Sequence, residues 1–216
     1  PLMFVTILQT CMHWMDILML GYFGDASVVG LYHPAARTAG LLQALLISFI
    51  SIYAPIMSQL HGKGDVGGMS RLYKLVTRWL ITFAIPISLV FILYPTKVML
   101  LFGPDYIESA SVLVLLTIAT FVQTTLGSAG PILSMSGYTR LVLWNSLGAF
   151  ILNLVLNIIL IPKFGIMGAA WATLISMTAL GLARIIEVQL ILKLSFLSSR
   201  LCKPLLAGLV TLFCIL

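Results

Sequence analysis

The stretch Leu141–Ile161, LVLWNSLGAFILNLVLNIILI, decides the fold. It is 21 residues long and carries no Asp, Glu, Lys or Arg. About 20 apolar residues in helical conformation cross the hydrocarbon of a bilayer. Within lipid a backbone can satisfy its own polar groups only as a helix or a closed barrel. An unbroken run of this length without period-2 alternation reads as a transmembrane helix. Its polar residues are also ordered. Asn153 and Asn157 stand one helical turn apart, and Asn145 lies about 80° round the axis. Interhelical hydrogen bonding is the reading for that pair.

The surrounding chain agrees with that stretch. It is 61% hydrophobic and 8% charged, with a mean hydropathy of +1.13. Soluble domains carry roughly 25% charged residues, so the water-soluble classes are excluded. Seven apolar segments are expected, at about 1–20, 34–57, 79–96, 109–133, 141–161, 166–192 and 203–216. The chain begins at Pro1 and stops at Leu216 inside the last run, which reads as a piece of a larger membrane protein. The expectation is an all-α, polytopic transmembrane helix bundle of about seven spans, with no soluble domain inserted. The largest connection is 58–78, SQLHGKGDVGGMSRLYKLVTR.

Twelve Lys and Arg against six Asp and Glu give a net charge of +6. The basic residues form no dense patch interleaved with aromatics, so a nucleic-acid partner is not expected. They sort by side instead. Connections 58–78, 134–140 and 193–203 hold eight of them, and the alternate connections hold two. By the positive-inside rule the richer set faces the cytoplasm, and the first span runs outward. Tyr22, Phe23, Tyr32, Tyr73 and Trp79 flank connections, where such rings favour the headgroup level. Arg71, Lys74 and Arg78 share a helical face that would lie on the anionic inner leaflet or anchor a solvated loop. Cys11, Cys202 and Cys214 lack metal-ligand spacing and read as small buried apolar residues.

Polar groups inside lipid need a partner, water or a protein interior. Thr6, Gln9, His13 and Asp16 recur at spacings of three, four and three, on one face of the first span. That stripe faces a water-filled cavity or a polar helix seam. In the second span Arg37, Gly40, Ala44, Ser48, Ser51 and Pro55 recur similarly, with Gln43 about 60° off that face. Asp16 and Arg37 either pair across the two helices or snorkel separately. Arg184 and Glu187 are spaced for an intrahelical ion pair near the cytoplasmic end of the sixth span. Pro86 and Pro131 fall inside spans and favour kinks. The pairs Ala36/Gly40 and Gly168/Ala172 permit close helix approach.

Catalytic signatures are absent from the sequence. His13, His33 and His61 are scattered, and no HExxH, Walker or GxSxG motif occurs. No catalytic residue, metal ligand or cofactor is expected. An apolar bundle with an internal polar stripe reads as a transporter rather than an enzyme.

Four stretches carry a family resemblance: DILMLGYFGDASVVGLYHPAARTAGLL (Asp16–Leu42), LLFGPDY (Leu100–Tyr106), GPILSMSGYTR (Gly130–Arg140) and LNLVLNIILIPKFGIMGAAWATLIS (Leu152–Ser176). In this order the chain resembles the polysaccharide/oligosaccharide flippase family, of the multidrug/oligosaccharidyl-lipid/polysaccharide exporter superfamily. The resemblance implies an inverted-V transporter of two lobes. This chain would be the C-terminal lobe, with the N-terminal lobe absent and the last span truncated. It implies that the first two helices line a central cavity, which raises Gln9, His13, Asp16, Arg37 and Gln43 as substrate-cavity candidates. Asn153, Asn157, Arg184 and Glu187 are secondary candidates. The implied partners are a lipid-linked oligosaccharide, membrane lipids and the missing lobe, in the cell membrane. The implied action is translocation by alternating access. A multidrug/cation antiporter of the same superfamily, with Asp16 as its ion site, is the alternative. A membrane-embedded transferase or a scaffold is a third reading.

Overall fold

The structure is a computed structural model, and it describes residues 2–194. The expected segment 203–216 lies outside the described residues, as do Cys202 and Cys214. Nine α-helices are formed among the described residues: α1 (Leu2–Phe23), α2 (Ala26–Ala39), α3 (Leu41–Gly62), α4 (Val66–Leu93), α5 (Pro95–Leu100), α6 (Ala110–Leu126), α7 (Ala129–Met135), α8 (Thr139–Phe164) and α9 (Ile166–Ile191). A 3₁₀ turn, Pro104–Ser109, leads into α6. Among the described residues six helical units are long and apolar enough to cross a membrane, with α2–α3 and the stretch Pro104–Met135 each counting as one. The bundle is all-α and polytopic.

Two connections are shorter than the sequence suggests. The segment 21–33, expected to be a loop, is helical except around Gly24 and Asp25. Most of 58–78 is helical too, because α3 runs to Gly62 and α4 starts at Val66. The turn between them is set locally. Gly64 adopts φ +68°, a left-handed conformation that side chains disfavour. Asp65 then caps α4, its carboxylate accepting the Gly68 N–H at 2.8 Å. Arg71, Lys74 and Arg78 are therefore part of the membrane-crossing helix α4 itself, not of a separate surface helix.

Breaks fall beside glycine rather than at each proline. Pro34, Pro55 and Pro86 sit within continuous α2, α3 and α4. The second unit is interrupted at Gly40 and the fourth at Gly127–Ser128, three residues before Pro131. Proline removes one donor, and neighbouring helices or local adjustments re-satisfy the freed carbonyl.

Helix α6 is central, packing against α2, α3, α4 and α9, while α8 packs on both α1 and α9. Gly168 and Gly181 make these approaches possible. A Cβ on Gly168 would meet the Leu160 carbonyl, and one on Gly181 would meet Leu126. Small residues let backbones close in, which matters where lipid gives no hydrophobic drive between helices. Among the described residues three apolar clusters result, two large and a small one of Met12, Ala149, Met177 and Leu180. One large cluster joins Leu46, Tyr53, Met57, Tyr73, Leu80, Ile132 and Val188. The other joins Leu20, Tyr32, Phe91, Met99, Leu113, Leu116 and Ala169. Leu18, Ile52, Trp144 and Leu190 point outward, as lipid-facing residues do. Tyr32 and Tyr73 are buried, so they are core residues and not interfacial rings. Cys11 is exposed rather than buried.

Candidate functional site

The polar stripe of α1 divides along its length. Gln9 and His13 are exposed, whereas Asp16 is buried. At roughly 100° per residue Asp16 lies at the edge of the stripe nearest α8 and α9, so it turns into the bundle. There three other helices converge on its carboxylate. Tyr32 of α2 donates its hydroxyl to Oδ2 at 2.9 Å. Thr173 of α9 donates to the same oxygen. Asn157 of α8 donates from Nδ2 to Oδ1 at 2.8 Å, and the same amide reaches Asn153 Oδ1 at 3.2 Å. The carbonyl oxygen of Asn157 is buried without a hydrogen-bond partner. Asn153 and Asn157 thus take part in interhelical bonding, to a carboxylate on α1.

Arg37 lies elsewhere. Its Nε donates to Nε2 of His33, one turn back on α2, at 3.3 Å. Its guanidinium carbon sits 5.5 Å from the centroid of the Trp14 ring on α1. Asp16 and Arg37 form no ion pair: the carboxylate faces α8 and α9, and the guanidinium faces the opposite side of α1 and α2.

A cavity of about 340 Å³ opens between α1 and the α2–α3 break. Its walls carry Thr10, His13, Trp14, His33, Arg37 and Gln43, with Gly40 at the break. A narrower recess of about 60 Å³ continues inward, past His13, Gln43, Thr120 and Gln123, to Asp16, Asn153 and Thr173. A third, of about 30 Å³, lies beside Gln9, His13, Gln43 and Gln123. His13 and Gln43 line all three. Each of the five cavity candidates thus lines at least one of these three spaces, Arg37 the widest, Asp16 the recess and Gln9 the smallest, and His13 and Gln43 are shared by all. Cationic, imidazole, amide and indole groups on one wall can hold an anionic group beside a polyhydroxylated one.

Arg184 and Glu187 do not pair with each other. Each bonds instead to α8: Arg184 Nη2 donates to Ser146 at 3.3 Å, and Glu187 accepts from Asn145 Nδ2 at 2.5 Å. Close packing of α8 on α9 puts these partners nearer than the next turn of α9. Arg184 is buried against Gly130 of α7, and its Nε has no hydrogen-bond partner. This pair stands apart from the cavity and acts as a seam among α7, α8 and α9.

Sequence reasoning missed Trp14, His33, Gln123 and Thr173. His33 and Trp14 were recoverable, since His33 precedes Arg37 by one turn and Trp14 follows His13. Thr173 carries no local signal, because its partner is 157 residues away.

Comparison with known proteins fits this geometry. A family model described as MatE matches residues 1–159. The probable flippase AglR of Haloferax volcanii is 31% identical over 76% of this chain and 35% of its own length. The probable low-salt glycan biosynthesis flippase Agl15 of the same organism is 27% identical over 76% and 35%. Membrane protein MJ1068 of Methanocaldococcus jannaschii, uncharacterized, is 27% identical over 92% and 40%. The chain thus spans well under half the length of these curated relatives. Two solved structures share the fold with a TM-score of 0.66, over 99% of this chain and 50% of theirs. One is an outward-facing multidrug resistance MATE family transporter of the MOP superfamily, 21% identical. The other is a MOP superfamily transporter from Pyrococcus furiosus with a binding pocket described as reversed in polarity, 22% identical. With the family model covering nearly three quarters of its length, this chain belongs to the MatE family.

Proposed function

We propose that this chain is the C-terminal lobe of a flippase that moves a lipid-linked oligosaccharide across the cell membrane by alternating access. The observation that carries the reading is the cavity itself. It brings Arg37, a cation without a carboxylate partner among the described residues, to the same wall as His13, Gln43 and Trp14. A sugar–diphosphate headgroup is doubly charged and heavily hydroxylated, so crossing hydrocarbon unassisted costs many kcal/mol. A hydrated wall with one strong cation lowers that cost, and amide and imidazole groups replace water on the sugar. Rocking of two lobes about a fixed site would alternate access. The names of two relatives, both flippases and one of glycan biosynthesis, support this reading. The basic sequence stretches 58–78, 134–140 and 193–203 are assigned to the cytoplasmic side by the positive-inside rule. The reading assigns no catalytic residue.

The test is surface-glycan export by cells carrying the complete protein. Arg37→Ala is expected to lower export several-fold at unchanged membrane abundance. Normal export by this variant would remove Arg37 from the site. A cation-coupled drug antiporter is the second reading, and the buried carboxylate of Asp16 favours it. Loss of drug resistance on gene deletion, with glycans intact, would select it.

A further inference from the structure

The geometry points to Trp14 and His33 as positioning residues that hold the Arg37 guanidinium as a fork for a phosphate group. This inference rests on the flippase reading and adds how the anion is recognised. An arginine at a cavity wall has long rotamer freedom, and that freedom is lost when it binds. Here it is already restricted at two points. His33, one turn earlier on α2, accepts the Nε–H at 3.3 Å. The indole of Trp14, on the neighbouring helix, lies 5.5 Å from the guanidinium carbon. The first contact fixes the edge of the plane that carries Nε. The second fixes which side of it is covered, with the attraction of a cation for a ring face.

The two terminal nitrogens remain. Among the described residues neither bonds to a protein group, and Arg37 has no carboxylate partner. The nearest buried carboxylate, Asp16, is already committed to Tyr32, Asn157 and Thr173. A guanidinium held by its Nε and by one face presents parallel N–H groups, matched to two oxygens of a phosphate. All three residues line the same cavity of about 340 Å³, so the fork faces space for a ligand rather than another helix. Lysine in place of Arg37 would keep the charge and lose both the plane and the fork.

The probe is radiolabelled geranylgeranyl diphosphate, with geranylgeraniol as its uncharged counterpart, binding to the complete protein in lipid nanodiscs. Wild type is expected to bind the diphosphate and discriminate against the alcohol. His33→Ala, Trp14→Leu and Arg37→Lys should each weaken diphosphate binding about tenfold, leaving the alcohol unchanged. His33→Gln keeps an acceptor and Trp14→Phe keeps a ring face, so each should recover most of the loss. Recovery by these two variants separates orientation from general damage to the fold. Wild-type affinity in Arg37→Lys overturns the fork. A loss in Arg37→Ala with none in His33→Ala or Trp14→Leu overturns positioning while leaving the diphosphate reading intact. Equal binding of alcohol and diphosphate by wild type overturns both.

Discussion

Two polar regions of this bundle lie within a few turns of each other and are built on opposite principles. Around Asp16 the helices α2, α8 and α9 each supply a donor, and the residue is 5% exposed. Around Arg37 a single neighbour accepts from Nε, a ring covers one side, and the rest opens into a cavity. Both begin from a charged residue near the ends of the first two helices. The anion is satisfied by protein and so ties α1, α2, α8 and α9 together. The cation is oriented by protein but left without a counter-charge. Satisfied polar groups in a low-dielectric interior fix structure, whereas an unsatisfied charge beside a cavity is available to a ligand. The same contrast separates Arg184, clamped against Gly130 and Ser146, from Arg37.

The contrast can be broken from its structural side first. Gly168→Val puts a side chain onto the Leu160 carbonyl and separates α8 from α9, which carry Asn157 and Thr173. A loss of about 3 kcal/mol is expected, visible as loss of monodisperse protein in size-exclusion chromatography. Asp16→Leu strands the donors of Tyr32, Asn157 and Thr173 and should cost about 2 kcal/mol, read as a lowered Tm. An unchanged Tm would mean that the carboxylate does not tie the helices. Accessibility separates the two regions directly. With Cys11, Cys202 and Cys214 replaced by Ser, Gln43→Cys should react with a hydrophilic methanethiosulfonate about tenfold faster than Thr173→Cys, because only the first lines the wide cavity. Equal rates would erase the distinction between open and sealed. The smallest effect belongs to His13→Ala, within about 0.5 kcal/mol of wild-type stability, since its side chain is exposed. A large fall in Tm would assign His13 to the seam instead.

Local periodicity made the helices legible, since a run such as 141–161 has one physical solution in lipid. It was weaker at the ends. Segment 21–33 looked like a loop because it carries Gly21, Gly24, Asp25 and Gly30, yet α2 runs through most of it. There Ala35 and Ala39 are buried against α6, and packing outweighs weak local propensity. Segment 66–78 is polar enough to suggest a loop, but Met69, Tyr73, Val76 and Thr77 recur at helical spacing and are buried. Of the candidate residues, His13, Arg37 and Gln43 line the wide cavity, because one helix face carries His13 and the next helical unit carries Arg37 and Gln43, while Gln9 lines a smaller space beside His13 and Gln43. Asp16 belonged to the same stripe by spacing. Its burial depended on α8 and α9, more than a hundred residues away.

By itself the sequence determined that this chain crosses a membrane as helices, and which residues are polar at depth. Those properties depend on composition and on the 3.6-residue period, both local. Only the tertiary structure decided which polar groups are satisfied. Asp16 found its partners on α2, α8 and α9, Arg184 and Glu187 each turned to α8, and Arg37 kept its terminal nitrogens free. Hydrogen bonding acts over about 3 Å. Which groups come within that distance is set by helix packing, and a linear pattern does not encode it.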